Sequence, residues 1–432
     1  MSDEELVRFD ETTRHVWPSH DDHSGDPFLD AALSSFHPSG FIREDAIERL
    51  AGWRNGRELR FLLLRVNDWV PQVRDAARTA VVARLTPGYA PHFARHLGLI
   101  TRLQRSRRVD HSGLLRAISR LLATSVSRDA LIQMMNDHRG ETRRVILRIL
   151  VESNPDDMEL FRAMLRVDDP VIRLMAMRLL PVAENRDALE VLFDDPAGSV
   201  RAQALLMAAD SPRLVSALLD RNANVRSVAR HRLRDEGIDF AALYRNALNS
   251  DRAAAAIAGL SETGIRADVE SIAPFLSHPR STVRRAAIRA VMALGGDDYV
   301  DRVTELLCDR SRGVSSQARR SLMPHGSSMQ AAKLWEMYES ASEDHVWRNL
   351  LALMTALPKW ESITLYVRAT QDRAEARADL ARRHVAQWNT FFNRRSSVPN
   401  ARQLEALDTA LSESSLDAGT VTVVRFGMRP FR

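Results

Sequence analysis

The feature that most constrains this chain is a short opening that returns along its length. In STVRRAAIRAVMALGG (281–296) an apolar residue precedes an arginine, and a helical run rich in small residues follows. The opening recurs in QVRDAARTAVVARL (72–85), VIRLMAMRLL (171–180), SVRAQALLMAA (199–209) and NVRSVARHRL (224–233). A recurrence at intervals of about 30 residues is typical of proteins built from stacked structural repeats.

Each unit reads as two helices joined by a short polar loop, and the second helix begins at the apolar–arginine pair. The residues one before, three after and seven after the arginine are small or apolar, which places them on one stripe of a helix. The middle residue of the stripe is alanine in five units, namely Ala77, Ala176, Ala204, Ala229 and Ala287. Because a methyl group lets a neighbouring helix approach closely, the pattern predicts an all-α fold, an α-solenoid of stacked helix pairs.

Pattern and composition divide the chain into four regions. The predicted regions are a polar N-terminal arm (1–35), the repeat array (36–330), diverged helical repeats that form a C-terminal cap (331–415) and a strand-like tail (416–432). In a strand, Val424, Phe426 and Met428 would share one face of the tail. The tail then either folds back on the last helices or docks on a partner by strand addition.

The repeated pattern resembles HEAT and HEAT-like repeats, particularly the short bacterial kind found in phycobilisome-lyase-type proteins. In that family an aspartate lies six residues before the recurring arginine, and the two residue types form a ladder between repeats. The resemblance therefore implies a structural ladder of Asp68, Arg74, Asp137, Arg143, Arg173, Asp195, Arg201, Asp220 and Arg226. His278 stands six residues before Arg284, and Asp309 stands before Ser315, so two broken rungs are expected there. The recurring arginine is thus interpreted as a partner of a loop carboxylate through bidentate hydrogen bonds.

A second set of basic residues, the basic column, lies one or five residues after the ladder position. Its members are Arg144, Arg148, Arg178, His231, Arg285, Arg289 and Arg320. At about 100° per residue they lie opposite the apolar stripe of the second helix. Second helices usually line the concave surface of a solenoid, where long partners bind. The column is either a binding surface or a solvated face made of this chain's commonest basic residue.

Composition narrows the class of partner only slightly. The net charge of +5 is small for 432 residues, and all basic residues except Lys333 and Lys359 are arginines. TRLQRSRRVD (101–110) concentrates four arginines in one loop, which either grips phosphates or an acidic protein surface, or is an exposed charged turn. The acidic N-terminus and the lack of a long apolar run predict a cytoplasmic protein with no membrane partner.

Metal and cofactor sites are not predicted. PSHDDHSGD (18–26) contains imidazole and carboxylate ligands, but adjacent residues rarely converge on one ion, so a polar linker is the better interpretation. Cys308 is the only cysteine, which excludes an intramolecular disulfide and a cysteine-based zinc site. No cofactor motif and no small-molecule substrate site is evident.

No catalytic residue is predicted. The sequence has no P-loop, GxGxxG, HExxH or GxSxG motif. Deoxyhypusine hydroxylases are similar HEAT-like solenoids whose di-iron site needs His-Glu dipeptides, and none occurs here. Trp69 beside Asp68 resembles, faintly, the site of HEAT-like DNA alkylation-repair glycosylases, but no other residue matches that site.

Two functions follow as expectations. The first is a non-catalytic scaffold that binds a protein partner, with an acidic surface as one fitting chemistry, along a concave, Arg-lined face. The alternative is a nucleic-acid-binding solenoid that uses the same arginines on phosphates. An enzyme of the glycosylase or lyase type rests on fold analogy alone, which is a poor guide to chemistry.

Overall fold

The computed structural model describes residues 2–13, 25–106, 108–179, 190–207, 212–390 and 397–431. Within these ranges the regular secondary structure is helical, and no strand occurs. The chain forms two compact units, Met1–Val191 and Leu192–Arg432. Among the helices described, none is long and apolar enough to cross a lipid bilayer.

The first unit is a stack of short helices. Its α-helices are α1 (Asp3–Thr13), α2 (Pro27–Ser34), α3 (Gly40–Gly52), α4 (Leu59–Arg65), α5 (Pro71–Val82), α6 (Ala90–Arg95), α7 (Leu97–Gln104), α8 (Ser112–Ser125), α9 (Arg128–Asp137), α10 (Gly140–Ser153), α11 (Met158–Met164) and α12 (Pro170–Leu179). Helix α5 packs on its partner α4 and on α3, while α10 packs on α9 and α8. Val73, Ala77 and Val81 are fully buried, so the predicted apolar stripe of the second helix is the surface that meets its neighbours.

The second unit continues the same architecture. Its α-helices are α13 (Gly198–Met207), α14 (Arg213–Ala217), α15 (Ala223–Arg232), α16 (Phe240–Asn246), α17 (Ala253–Thr263), α18 (Asp268–Ile272), α19 (Ser281–Gly295), α20 (Val300–Glu305), α21 (Arg312–Leu322), α22 (Ala331–Ser340), α23 (Asp344–Leu353), α24 (Lys359–Ala369), α25 (Glu375–Thr390), α26 (Ala401–Glu413) and α27 (Ala418–Met428). The second helices α13, α15, α17, α19, α21 and α23 pack on one another in chain order. The predicted α-solenoid of helix pairs is confirmed.

Local sequence explains where the second helices begin and how closely they pack. Pro71 and Pro170 each occupy the first helical position, where the missing N–H has no partner to lose. Within α17, a Cβ on Gly259 would lie 2.3 Å from the ring of Tyr244 in α16. Glycine there lets the buried tyrosine ring lie directly against the helix backbone.

A buried arginine ties helix ends together in the first unit. Arg84, just after α5, is fully buried and donates to the carbonyls of Ala80, Ala51 and Trp53. Its Nε lies 2.7 Å from Oε1 of Glu58, whose side chain is also fully buried. The carbonyls at the ends of α3 and α5, which have no intrahelical donor, are thereby satisfied.

The C-terminal tail corrects a prediction. Residues 418–428 form helix α27 and not a strand, and the Asp417 carboxylate accepts the N–H of Thr420 at 2.9 Å as its cap. Val424 and Met428 are buried, whereas Phe426 is two-thirds exposed, so the buried residues follow helical spacing. The alternation and the β-branched run in TVTVV indicated a strand, but the cap and packing against α25 and α26 favour the helix.

The ends of the predicted domain scheme also contain helices. The predicted polar arm includes α1 and α2, whose Leu6 and Phe28 are buried in the first unit. In the predicted cap, Trp347 and Trp360 are buried. The boundaries of the four regions stay a prediction.

Candidate functional site

The recurring arginines join consecutive repeats through their loops. Arg201 donates from Nη1 to the main-chain oxygen of Asp195, six residues earlier, at 2.6 Å. Its Nε and Nη2 donate to both carboxylate oxygens of Asp220, in the next loop, at 2.9 and 2.6 Å. The aspartate six residues before the arginine therefore supplies a carbonyl, and the carboxylate comes from the following repeat.

Two further rungs have the same geometry. In the first unit Arg43 donates to both carboxylate oxygens of Asp68. In the second unit Arg284 donates to both carboxylate oxygens of Asp309, each at 2.8 Å. Each arginine also donates to the carbonyl six residues earlier, from His37 and His278 respectively. The expected break at Arg284 is wrong, and Arg43 is a ladder residue that the sequence analysis missed.

The rungs obey a positional rule. The arginine is the fourth residue of its second helix, as in α3, α13 and α19. The residue three places before a second helix accepts the N–H two residues later: Asp68 accepts that of Val70, and Asp309 accepts that of Ser311. We call this position the loop slot. An aspartate there serves its own turn and the arginine of the preceding repeat together.

The remaining predicted ladder residues depart from the complete rung. Arg74, Arg173 and Arg226 each donate to the carbonyl six residues earlier. Around α10 the rung shifts by one residue, because Arg144 and not Arg143 holds the carboxylate of Asp169 at 2.9 and 3.1 Å. Among the residues described, the buried Nε of Arg143 has no hydrogen-bond acceptor. Asp137 is exposed. Arg144, predicted in the basic column, therefore makes a ladder contact.

Asp68 is the most enclosed of the ladder carboxylates with a shifted pKa. Burial acts to raise the pKa of Asp68, but hydrogen bonds from Arg43 and the Val70 N–H, together with the charge of Arg65, outweigh it and hold the pKa below its usual value. Arg65 itself lies 3.1 Å from Asp68. Trp69 is exposed beside this network, with the Arg43 guanidinium 5.4 Å from its ring centre. A carboxylate held ionised by two arginines is a structural group and a poor general base at neutral pH.

The repeat that contains α17 interrupts the ladder on both sides. Ser250 occupies its loop slot, where the hydroxyl accepts the N–H of Arg252 at 3.1 Å but supplies no carboxylate. Ala256, fully buried, occupies the fourth helical position. Arg226 of the preceding repeat turns instead to Glu262 at the end of α17, which also pairs with Arg230 at 2.8 Å.

A groove of about 550 Å³ lies beside α17. It runs past the starts of α13, α15, α17 and α19. Its lining includes the small side chains of Ala254, Ala255 and Ala258 of α17 and two arginines of the basic column, Arg285 and Arg289. Sequence reasoning placed these arginines opposite the apolar stripe but did not predict the groove, because its lining comes from residues that are far apart in the sequence.

The charges around the groove are only partly compensated. Asp195, Asp220 and Arg201 line it but belong to the ladder. Asp194 pairs with Arg213 at 3.2 Å on the surface. Arg221 and Arg252 donate to the carbonyls of Pro196 and Leu219. Over the described part of the chain, Arg285 and Arg289 have no carboxylate within ion-pair distance. The lining holds five arginines and four aspartates, so its excess is one positive charge, and it lies on the side of Arg285 and Arg289.

The nearby positive charges affect the pKa of Arg289. Partial desolvation lowers the pKa of its guanidinium, and the charges of Arg285, Arg226 and Arg320 lower it further, against an opposing contribution from Glu262. Arg289 stays charged at neutral pH, since an arginine pKa starts far above it. Arg320, on the adjacent α21, is exposed and donates to the Gln317 side chain at 3.1 Å.

The other predicted residues of the basic column lie apart from the groove. Arg148 and Arg178 are exposed on α10 and α12 of the first unit, and His231 is exposed on α15 of the second. In the arginine cluster at 101–110, Arg102 pairs with Glu11 at 2.8 Å and Arg105 pairs with Glu141, while Arg108 donates to the carbonyl of Asn67. Arg107 lies outside the described residues.

No metal centre emerges from the part of the chain that the structure describes, where no three His, Cys, Asp or Glu side chains form a group able to hold an ion. The cluster His20–His23 lies outside the described residues. Cys308 is an exposed residue of the second unit, and the partial desolvation of its thiol raises the pKa of that group.

Comparisons with known proteins add little to this picture. No family model and no curated protein matches the chain. Kap95p, in a structure with RanGDP, is 10% identical over 98% of this chain and 63% of that chain, with a TM-score of 0.37. Kap95 in complex with Nup1 is 12% identical over 99% and 68%, with a TM-score of 0.33. Kap121p bound to Pho4p is 12% identical over 100% and 55%, with a TM-score of 0.29.

A likeness at this level carries no argument about function, and the chain spans less than two thirds of the first of these proteins. The HEAT-like repeat itself is present in the helix pairs and their arginine–aspartate rungs. Nothing in the comparisons supports its assignment to the bacterial kind.

Proposed function

We propose that this protein is a non-catalytic HEAT-like scaffold that binds a protein partner in its second unit, at Arg285, Arg289 and Arg320 of the basic column. The observation that carries the proposal is a contrast within α19. Arg284 is buried and neutralised by Asp309, whereas Arg285 and Arg289 are exposed and have no carboxylate within ion-pair distance over the described residues. Fold stability explains the first arginine but not the other two.

The two exposed arginines disfavour each other in the isolated protein. They lie four residues apart on one helix, where like charges destabilise the helix by about 0.2–0.5 kcal/mol. Arg320 of the adjacent α21 adds a third positive charge, which acts on the pKa of Arg289. A partner that brings negative charge to this surface relieves the repulsion, so an anionic surface fits better than a neutral one.

The surroundings of the column favour a protein over a nucleic acid. The carboxylates of Asp194 and Asp251 are exposed at the same groove and would repel a phosphate backbone of uniform charge. The only aromatic residue that lines the groove, among the residues described, is the buried Phe193, so no exposed ring stacks on bases there. A protein segment can alternate acidic, apolar and amide groups to match this lining.

Affinity capture followed by chemical cross-linking tests the proposal. The tagged protein, its R285E/R289E variant and a matched R302E/R373E variant are used in parallel on cell extract. Arg302 and Arg373 are exposed and do not line the groove, so the control carries the same change in net charge. We expect partners that the control retains and that R285E/R289E loses. Identical sets of partners on all three proteins would contradict the proposal.

Nucleic-acid binding is the competing function, and the same variants separate it. Fluorescence anisotropy with duplex DNA, single-stranded DNA and RNA is measured at about 50 and 200 mM salt. Tight, salt-sensitive binding that R285E/R289E abolishes and R302E/R373E retains would replace the protein-scaffold proposal. We expect weak binding that both variants reduce alike.

A further inference from the structure

We infer that the groove beside α17 is the docking site for an acidic peptide segment of the protein partner, which places a carboxylate between Arg285 and Arg289. This inference rests on the proposed function and specifies its partner chemistry. The groove lies entirely within the second unit, and every residue used here belongs to the described part of the chain.

The wall of the groove on the α17 side is made of small side chains. Ala254, Ala255 and Ala258 of this helix all line it. The neutralised rung of Arg201 and Asp220 forms another part of the lining. The groove therefore combines alanine methyl groups with charged side chains that the fold already uses.

The dimensions of the groove suit a short segment of chain. Its volume of about 550 Å³ lies within the range of about 300–1,000 Å³ that is usual for ligand-binding pockets. Ala254 is half-buried and lines the groove together with Ala255 and Ala258, so the α17 side offers no bulky side chain. Small or aliphatic residues of a docked segment fit against these methyl groups.

Charge complementarity identifies the occupant. A guanidinium matches a carboxylate through two parallel hydrogen bonds, which is the geometry that the ladder uses in this protein. A carboxylate of the docked segment would be the ion-pair partner of Arg285 and Arg289 in the groove. Arg285 is held beside the start of α21, where its Cδ would lie 3.4 Å from a Cβ on Gly313. The nearby Asp251 disfavours a continuous run of acidic residues, so the carboxylates of the segment should be spaced.

A peptide titration tests the inference with the full chain. The probe is a fluorescein-labelled peptide of alternating glutamate and alanine, and the control probe has glutamine in place of glutamate. We expect saturable binding of the acidic peptide and a drop in affinity of at least about tenfold in R285E/R289E, since a charge-assisted bidentate contact is lost and a repulsion is added. R302E/R373E should retain most of the affinity. Thermal melts of each variant establish that it is folded.

A variant that changes shape and not charge separates groove binding from general attraction. Ala254→Leu fills part of the groove and leaves every guanidinium in place. We expect it to weaken the acidic peptide severalfold. The groove is not the docking site if Ala254→Leu leaves the affinity for the acidic peptide unchanged, or if the two charge variants reduce it equally. Equal binding of the glutamine peptide and the acidic peptide would also overturn the inference.

The outcome also distinguishes this inference from the proposed function. If the acidic peptide does not bind the wild-type protein while capture of partners still depends on Arg285 and Arg289, the scaffold proposal stands and the peptide docking site is wrong. If duplex DNA displaces the bound peptide and binds more tightly than it, the basic surface recognises phosphate and both are wrong.

Discussion

The repeats around α19 and α17 are neighbours in the second unit, yet they use the ladder positions differently. In α19 the fourth residue is Arg284, which is buried and holds Asp309 through two hydrogen bonds of 2.8 Å. In α17 the fourth residue is Ala256, and the loop slot before it is Ser250. The repeat of α19 joins its neighbour through a neutralised ion pair, whereas the repeat of α17 presents small alanine side chains to a groove that Arg285 and Arg289 of α19 also line.

The comparison shows that position, not residue type, decides what an arginine does in this fold. Arg284 and Arg289 belong to the same helix and differ by five residues. The first points between loops and is neutralised by the next repeat, while the second is exposed beside the groove. A count of arginines therefore says little about binding, and the test is which of them the fold already uses.

The largest expected effect follows from breaking the complete rung. Arg284→Ala leaves the carboxylate of Asp309 largely buried without its partner, which should lower the free energy of unfolding by about 3 kcal/mol. Urea denaturation of the wild type and the variant measures the difference, with Arg302→Ala as a surface control. A loss no larger than that of the control would contradict the structural assignment of the rung.

The contribution of the Asp68 carboxylate to the stability of the first unit should depend on pH. The pKa of Asp68 is lower in the folded protein than in the unfolded chain, so folding favours its ionised form. Its contribution is therefore complete above about pH 4, the unfolded pKa, and is lost as the pH falls through the lower folded pKa. We expect Asp68→Asn to destabilise the protein by about 2 kcal/mol at neutral pH.

Chemical denaturation of the wild type and Asp68→Asn from pH 7 down to pH 3 checks this dependence. The difference in unfolding free energy between the two proteins should shrink toward the acidic end. A difference that stays constant with pH would show that packing, and not the carboxylate charge, accounts for the effect.

The substitute partner of Arg226 offers an intermediate test. Glu262→Ala removes the carboxylate that both Arg226 and Arg230 use, and the Arg226 side chain is only 3% exposed. We expect a destabilisation of about 2 kcal/mol. Adding Ser250→Asp places a carboxylate at the loop slot that follows Arg226, where a complete rung would have its aspartate. The double variant should recover part of the lost stability in thermal melts. No recovery would mean that the interrupted repeat cannot hold a rung.

The fold was readable from the sequence because the apolar stripe and the arginine share one period. The buried Val283, Ala287 and Val291 lie at the predicted spacing. The partner of each arginine was not readable from a spacing of six, because the carboxylate belongs to the next repeat. A forward spacing of 25 residues joins Arg43 to Asp68 and Arg284 to Asp309, and this signal would have identified both rungs.

The groove could not be predicted in the same way. Its lining comes from residues spread between positions 193 and 289, and no spacing in the sequence brings them together. His278 was interpreted as a broken rung, yet its ring nitrogen accepts the N–H of Arg280 at 3.1 Å, the same turn contact that Ser250 makes. The loop slot therefore also holds residues other than aspartate, and Arg226, whose following slot is Ser250, takes its carboxylate from Glu262 instead.

The smallest expected effect completes the comparison within α19. Arg289→Ala removes an exposed side chain with no ion pair over the described residues, so the free energy of unfolding should change by no more than about 0.5 kcal/mol. Removal of a charge four residues from Arg285 also relieves repulsion along the helix, so a slight gain in stability is the expected direction. Urea denaturation at low and high salt measures both, because screening should reduce any gain. A loss as large as that of Arg284→Ala would mean that Arg289 belongs to the framework of the fold, and the contrast between ladder arginines and groove arginines would disappear.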